Sequence, residues 1–309
     1  MPRAHADCER AFSPCVQAET APPNAFASEL QLLPAPVRFD WRVGATFGFQ
    51  TRTLLLQAAS PDPLGREIVV VDDWMTSHLR AAARLSDHWA VAAQQPLSFG
   101  SSSEQTGSAS SLAGGGVQPG LGDTELSLLL QSPAWPLLVS QRVSLPLGTA
   151  RSFLRERGPS YAPSLALWLD RGTWILGALL GGHLRQTATF GDVRFGSELQ
   201  LALGSAVRID HASLALEVQA LPSLTRDERR GQSTHSSLRR VPADWCLTWT
   251  QRLEPVRMSL GVGGSIPLTQ RERTSLDASG AEIRRETEVL SGPPGASFRV
   301  RWGLDVEWR

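Results

Sequence analysis

The sequence has no lysine: its 30 basic residues are all arginine, and 30 acids balance them to a net charge of zero. Without a basic excess there is no field to gather nucleic acid. Without lysine, the glycine-rich "GGGVQPGLGD" lacks the Lys-Ser/Thr pair of a phosphate-binding loop, and it reads as a flexible outer loop entering a strand. No stretch reaches the roughly 20 apolar residues of a membrane-spanning helix. The longest candidate, "TWILGALLGGHL", is too short and contains His183. The sole asparagine, Asn24, and sole tyrosine, Tyr161, are a further scarcity.

Three cysteines are also few. Cys8 and Cys15 bracket "CERAFSPC", with only His5 nearby, which is too few ligands for a metal site. In a reducing compartment they would stay thiols; in an exported protein they would close a small disulfide loop. The preceding "AHAD" has the small-x-small form of a leader cleavage site, so an export signal upstream of Met1 is expected. Cys246 falls in a strand pattern as an inert small residue.

What the chain does have is period-two alternation. In "RFDWRVGATFGFQ" Phe39, Trp41, Val43, Ala45, Phe47 and Phe49 alternate with Asp40, Arg42, Gly44, Thr46, Gly48 and Gln50. That is the strand signal. "SFRVRWGLDVEWR" at 297–309 repeats it. Following the phase predicts about twelve strands, near 38–50, 73–84, 88–98, 121–131, 136–147, 161–170, 172–187, 193–209, 213–221, 243–253, 256–267 and 297–308. Short connections ("LSDH", "SPAW", "DRGT", "IDHA", "LEPV") alternate with long polar ones, except near "TATFGD", which is short where a long one is due. Strict short-long alternation gathers the tight turns at one end. This predicts an all-β, antiparallel, up-and-down transmembrane barrel with short periplasmic turns and long outer loops. A Greek-key sandwich would mix its connections.

Two patterns test this. Strand arginines should avoid lipid, where each costs roughly 2–4 kcal/mol at the midplane. Arg42, Arg80, Arg142, Arg185, Arg208, Arg252, Arg257, Arg299 and Arg301 share one phase with Asp40, Glu125, Glu198, Glu217, Asp305 and Glu307. All of these but Asp40 are the candidate lumen-lining residues; Gln141 and Gln251 break the phase. A soluble barrel alternates too, with the apolar phase inward, so charge alone does not separate the two. Strands of 10–12 residues exceed the globular average near 5–6 and match a tilted bilayer crossing. Trp41, Trp89, Trp135, Trp174, Trp245 and Trp308 are expected to form an aromatic girdle at the short-turn end.

"GLGDTELSLLLQ", "SLPLGTARSFLRERGPSYAPSLALWLD" and "FGDVRFGSELQLALGSAVRI" resemble the barrel region of OmpA-family outer-membrane proteins of myxobacteria and relatives. "DCERAFSPCVQAET" and "SPDPLGREIVVVDD" resemble the same group. The resemblance implies an outer-membrane barrel. The peptidoglycan-binding domain of some members is not carried over, since the sequence stops at Arg309 straight after a strand.

The expectation is therefore residues 1–37 as a periplasmic segment and 38–309 as a monomeric barrel in a Gram-negative outer membrane. Both termini would be periplasmic. The partners are outer-membrane lipid and, through the C-terminal strand, the barrel-assembly machinery; no cofactor, metal or nucleic acid is implied. The function expected is a passive, porin-like channel for small polar solutes. The alternatives are a plugged barrel with structural or surface-contact duties and a lipid hydrolase. "HAS" at His211–Ser213 matches the His-x-Ser of an outer-membrane phospholipase, but it lies in a short turn and lacks the orienting asparagine. His78 and His183 fall on the inner phase and read as solvated lumen histidines.

Overall fold

The computed structural model describes residues 40–57, 67–99, 120–132, 135–149, 158–190, 193–224, 227–230, 234–239, 241–267, 269–276, 282–290 and 298–308. Cys8 and Cys15 lie outside them. Twelve long strands make the body: β1 (Trp41–Gln57), β2 (Glu67–Arg84), β3 (Trp89–Phe99), β4 (Thr124–Gln131), β5 (Leu137–Leu145), β6 (Ser160–Asp170), β7 (Trp174–His183), β8 (Glu198–Ile209), β9 (Ala212–Ala220), β10 (Pro242–Leu253), β11 (Val256–Pro267) and β12 (Phe298–Trp308). Each pairs antiparallel with the next in the chain, and β12 returns to β1, closing the sheet. The closing register runs from Trp41↔Trp308 to Gln50↔Arg299. Closure gives every strand two neighbours and leaves no bare edge. No helix occurs among the described residues.

Tight turns do join β2–β3, β4–β5, β6–β7, β8–β9 and β10–β11, and the intervening connections are long. Four connections differ from the sequence reading. The "EIVVVDD" segment belongs to β2, and β1 runs on to Gln57. There Leu54–Leu56 pair with Ile68–Val71 through a shift in register. Both runs are apolar on both phases, so alternation gave no sign of them. The connection near "TATFGD" is not short: β7 ends at His183, β8 starts at Glu198, and between them Ala188–Phe190 pairs with Val193–Phe195. The long connections after β9 and β11 also carry strands. Asp227–Arg230, Thr234–Arg239, Thr269–Leu276 and Glu282–Leu290 form a four-stranded sheet joining the two connections.

The faces are inverted relative to a soluble barrel. Leu203, Leu180 and Val43 are 67%, 53% and 49% exposed, while Arg42 and Glu217 are 1% and 0%. The large apolar phase points out, and the charged phase points in. A continuous apolar belt in water would drive aggregation, and its stable surroundings are hydrocarbon. Outward polar groups need their own partners there. Gln141 on β5 breaks the phase, and its carbonyl accepts a hydrogen bond from the Tyr161 hydroxyl on β6. On the same outer face the Phe47 and Trp302 rings stack at 5.7 Å.

Trp41, Trp89 and Trp174 open β1, β3 and β7, Trp308 ends β12, and Trp135 sits in the β4–β5 turn. All five are exposed at the short-turn end. Trp245 is not part of this group. β10 enters from a long connection, so its fourth residue lies toward the opposite end.

Candidate functional site: the barrel lumen

The charged inner phase is assembled into ion-pair networks. The densest lies on β11, β12, β1 and β2 near the short turns. Asp305 accepts from Arg42 Nη2 at 2.8 Å. It also takes a two-point contact from Arg80, at 2.8 Å from Nε and 2.7 Å from Nη2. Arg42 Nε is 3.7 Å and Arg257 Nη1 3.5 Å from Glu307 Oε1. Three guanidinium groups thus share two carboxylates.

Arg80 and Asp305 are not on neighbouring strands; β1 runs between them. Gly44 is the β1 residue paired with both. A Cβ at Gly44 would overlap Asp305 Oδ1 and lie 2.7 Å from the Leu304 carbonyl oxygen. The missing side chain is what lets Arg80 reach across a strand. A second arginine crosses a strand at Gly263 on β11. This glycine pairs with Cys246 and Arg299, and over it Arg299 Nη2 reaches Asp244 Oδ1 at 3.0 Å. Arg301 lies opposite Gly261 in the same register.

Toward the long connections, Arg185 Nη2 is 2.8 Å from Glu198 Oε1, and Arg142 Nη1 is 3.6 Å from Glu125 Oε2. Arg185 falls just past the end of β7, and the extended run to residue 187 expected from the sequence is not a strand. At the short-turn end Arg208 Nη1 is 2.9 Å from Asp170 Oδ2. Glu217 is fully buried. Arg252 lines an open depression with Glu254, Pro255, Arg257 and Glu307. The histidines are engaged separately: His78 Nδ1 with Gln94 Nε2 at 3.2 Å, and His183 Nε2 with Ser160 Oγ at 3.1 Å. They stand on β2 and β7, which are not neighbours.

Alternation did not reveal that much of the lumen wall is apolar. Within four residues of each short-turn end, every strand has two inner-phase positions; one from each strand forms a ring, and the others include Gln131, Asp170, Arg208, Ser213 and Glu307. From β2 to β5 the ring members are Ala82, Ala90, Leu129 and Leu138, with Trp168 of β6 packed against them. Ile175, Ala206 and Ala215 continue the surface over β7, β8 and β9. Then the character switches to Thr250 on β10, Arg257 on β11, Asp305 on β12 and Arg42 on β1. Apart from Trp168, which is half-buried, the other eleven are buried. The ring is apolar over eight consecutive strands and polar or charged over four. The two strands here were expected, but their inner residues were not: "LALWLD" and "WILGALLGG" are apolar on both phases.

His211 and Ser213 are split by the turn, the histidine exposed and the serine buried on the inner phase. His211 contributes its backbone carbonyl to the Arg252 amide.

A closed antiparallel barrel with its greasy face outward and its charges inward has the outer-membrane β-barrel fold. Among solved structures it is similar to the COG4313 outer membrane channel from Pseudomonas putida F1, with a TM-score of 0.55 at 15% identity over 92% of this chain and 98% of that one. The NanC porin aligns with a TM-score of 0.49 at 8% identity, over 86% and 99% of the two chains. The Pseudomonas putida toluene transporter TodX aligns at 0.41 and 11%, over 97% and 96%. The first likeness is one of fold, and it concerns outer-membrane barrels in general, not OmpA-family membership. No protein-family model and no curated protein matches the sequence.

Proposed function

We propose that the protein is a monomeric, narrow channel in the outer membrane of a Gram-negative bacterium, passing small solutes down their gradients. The observation that carries this reading is the inversion of the barrel: a lipid-compatible exterior around an interior furnished with charge. The likeness to a protein described as an outer membrane channel supports it at the level of fold. Twelve strands lie between filled eight-stranded barrels and the sixteen-stranded porins that hold an aqueous channel. In this reading both termini are periplasmic, β12 is the strand that the assembly machinery engages, and the kinship is to OmpA-family barrels.

Planar-bilayer recording of the purified protein tests it. Discrete conductance steps are expected. Protein that inserts and never conducts overturns the channel reading; protein that stays folded and monomeric without detergent overturns the membrane reading. A second reading has a specific observation in its favour. The lumen arginines are paired with acids and buried, as in a plugged barrel with structural duties. The same recording separates the two.

A further inference from the structure

We infer that the solutes this barrel selects are small amphipathic anions: an apolar, ring-sized or short-chain body carrying one anionic group. The inference rests on the channel reading and adds the class of solute. Its basis is the juxtaposition of two unlike surfaces in one layer of the lumen.

Water-filled porin lumens are polar. Here an apolar sector close to the short turns runs from Ala82 around to Ala215, with Leu129, Leu138, Ile175 and Trp168 as its bulk and the Asp170–Arg208 pair beside it. A hydrophobic constriction disfavours water and therefore opposes ions that must keep their hydration shell. A solute with its own apolar body replaces that water at no such cost. The other third of the ring is not apolar and not balanced. Arg42, Arg80 and Arg257 face Asp305 and Glu307, an excess of one positive charge within the cluster. The two surfaces meet directly: Ala82 is the cross-strand partner of Arg42.

The charged side also holds donors that the wall does not use. Arg80 Nη1 and the Thr46 hydroxyl are buried with no hydrogen-bond partner among the described residues, as are both amide atoms of Gln50. Buried polar atoms without partners are rare in folded proteins, because each has given up water for nothing in return. A carboxylate or sulfonate would accept from Arg80 Nη1 and from Thr46. A cation would meet the excess guanidinium charge, and a purely hydrophilic anion would face the apolar two-thirds unaided. The one solute class complementary to both sides has an apolar body and an anionic head.

The test uses the full chain in planar bilayers under bi-ionic conditions with three permanently ionised probes. These are benzenesulfonate (apolar anion), 2-hydroxyethanesulfonate (hydrophilic anion, though smaller) and phenyltrimethylammonium (apolar cation). Reversal potentials should rank benzenesulfonate severalfold more permeant than either. Leu138→Gln and Leu129→Gln should each erase its advantage over 2-hydroxyethanesulfonate, and Arg80→Gln its advantage over the cation. Migration of unheated samples on gels verifies that each variant is a folded barrel, and two apolar positions keep the test alive if one fails to fold. A conducting channel that prefers 2-hydroxyethanesulfonate, prefers the cation or shows no preference overturns this inference alone. No conductance from inserted protein overturns the channel reading and this inference with it.

Discussion

At the scale of single residues, the lumen network is defined by what Gly44 lacks and what Asp305 supplies. Gly44→Ala places a methyl group where Asp305 and a backbone carbonyl already stand. Forced overpacking of this kind typically costs about 1–3 kcal/mol. The expected outcome is a lower urea midpoint in detergent. Gly48→Ala, which meets only the Thr76 hydroxyl at 3.0 Å, should cost less. Asp305 serves two arginines in a buried setting, so Asp305→Asn leaves uncompensated positive charge and should destabilise by about 3–5 kcal/mol. Arg80→Met leaves Arg42 on Asp305 and equalises the cluster at two arginines and two acids, so its loss should be clearly smaller. Equal losses in paired unfolding curves would show that charge balance does not govern this cluster. Tyr161 makes a different point. Its hydroxyl satisfies Gln141 on the lipid-facing phase, so Tyr161→Phe should cost about 0.6–2 kcal/mol.

At the scale of strands, period two was enough wherever the two phases differ in kind. Trp41–Gln50 and Phe298–Trp308 alternate large apolar with charged or small residues, and their pairing across 263 positions, from Arg42 to Asp305, follows from that shared pattern. The pattern failed for physical reasons in three places. Leu54–Leu56 is apolar on both phases. "LALWLD" and "WILGALLGG" are too, so Trp168, Ile175 and Leu179 were invisible as lumen residues. Trp245 was misplaced because strand direction, not sequence order, decides which end a residue occupies. The outward phase itself can be tested by depth. Leu203 lies mid-strand on β8 and is 67% exposed; Ile209 ends the same strand at a short turn and is 65% exposed. Burial in a soluble fold would not distinguish them. In a bilayer Leu203→Arg should cost about 2–4 kcal/mol and Ile209→Arg about 0–1 kcal/mol. Unfolding from lipid vesicles measures both, and equal costs would argue against a membrane centred on the strand midpoints.

At the scale of the whole molecule, closure turns twelve local alternations into one cross-section with two unlike halves. The individual ion pairs could not be read from the sequence because they depend on which strands the closure brings together and which glycines let a side chain cross a strand. The amphipathic ring depends on it still more, since no strand shows more than one member of the layer. Trp168 is the largest side chain in that ring, and it is packed against Ala82, Ala90, Ala92, Leu129 and Leu138. Three of these five neighbours are alanines, with little volume to replace it. Trp168→Ala should leave a void on the apolar side without removing a member of any ion pair. In a conducting barrel the expected outcome is a larger unitary conductance with the charge preference of the parent. Arg80→Gln should act in the opposite sense, shifting charge preference with little change in conductance. If both variants change conductance and preference together, the two halves of the ring act as one structural unit. If they separate as stated, the apolar side sets the width of the pathway and the arginine side sets the sign of charge that passes.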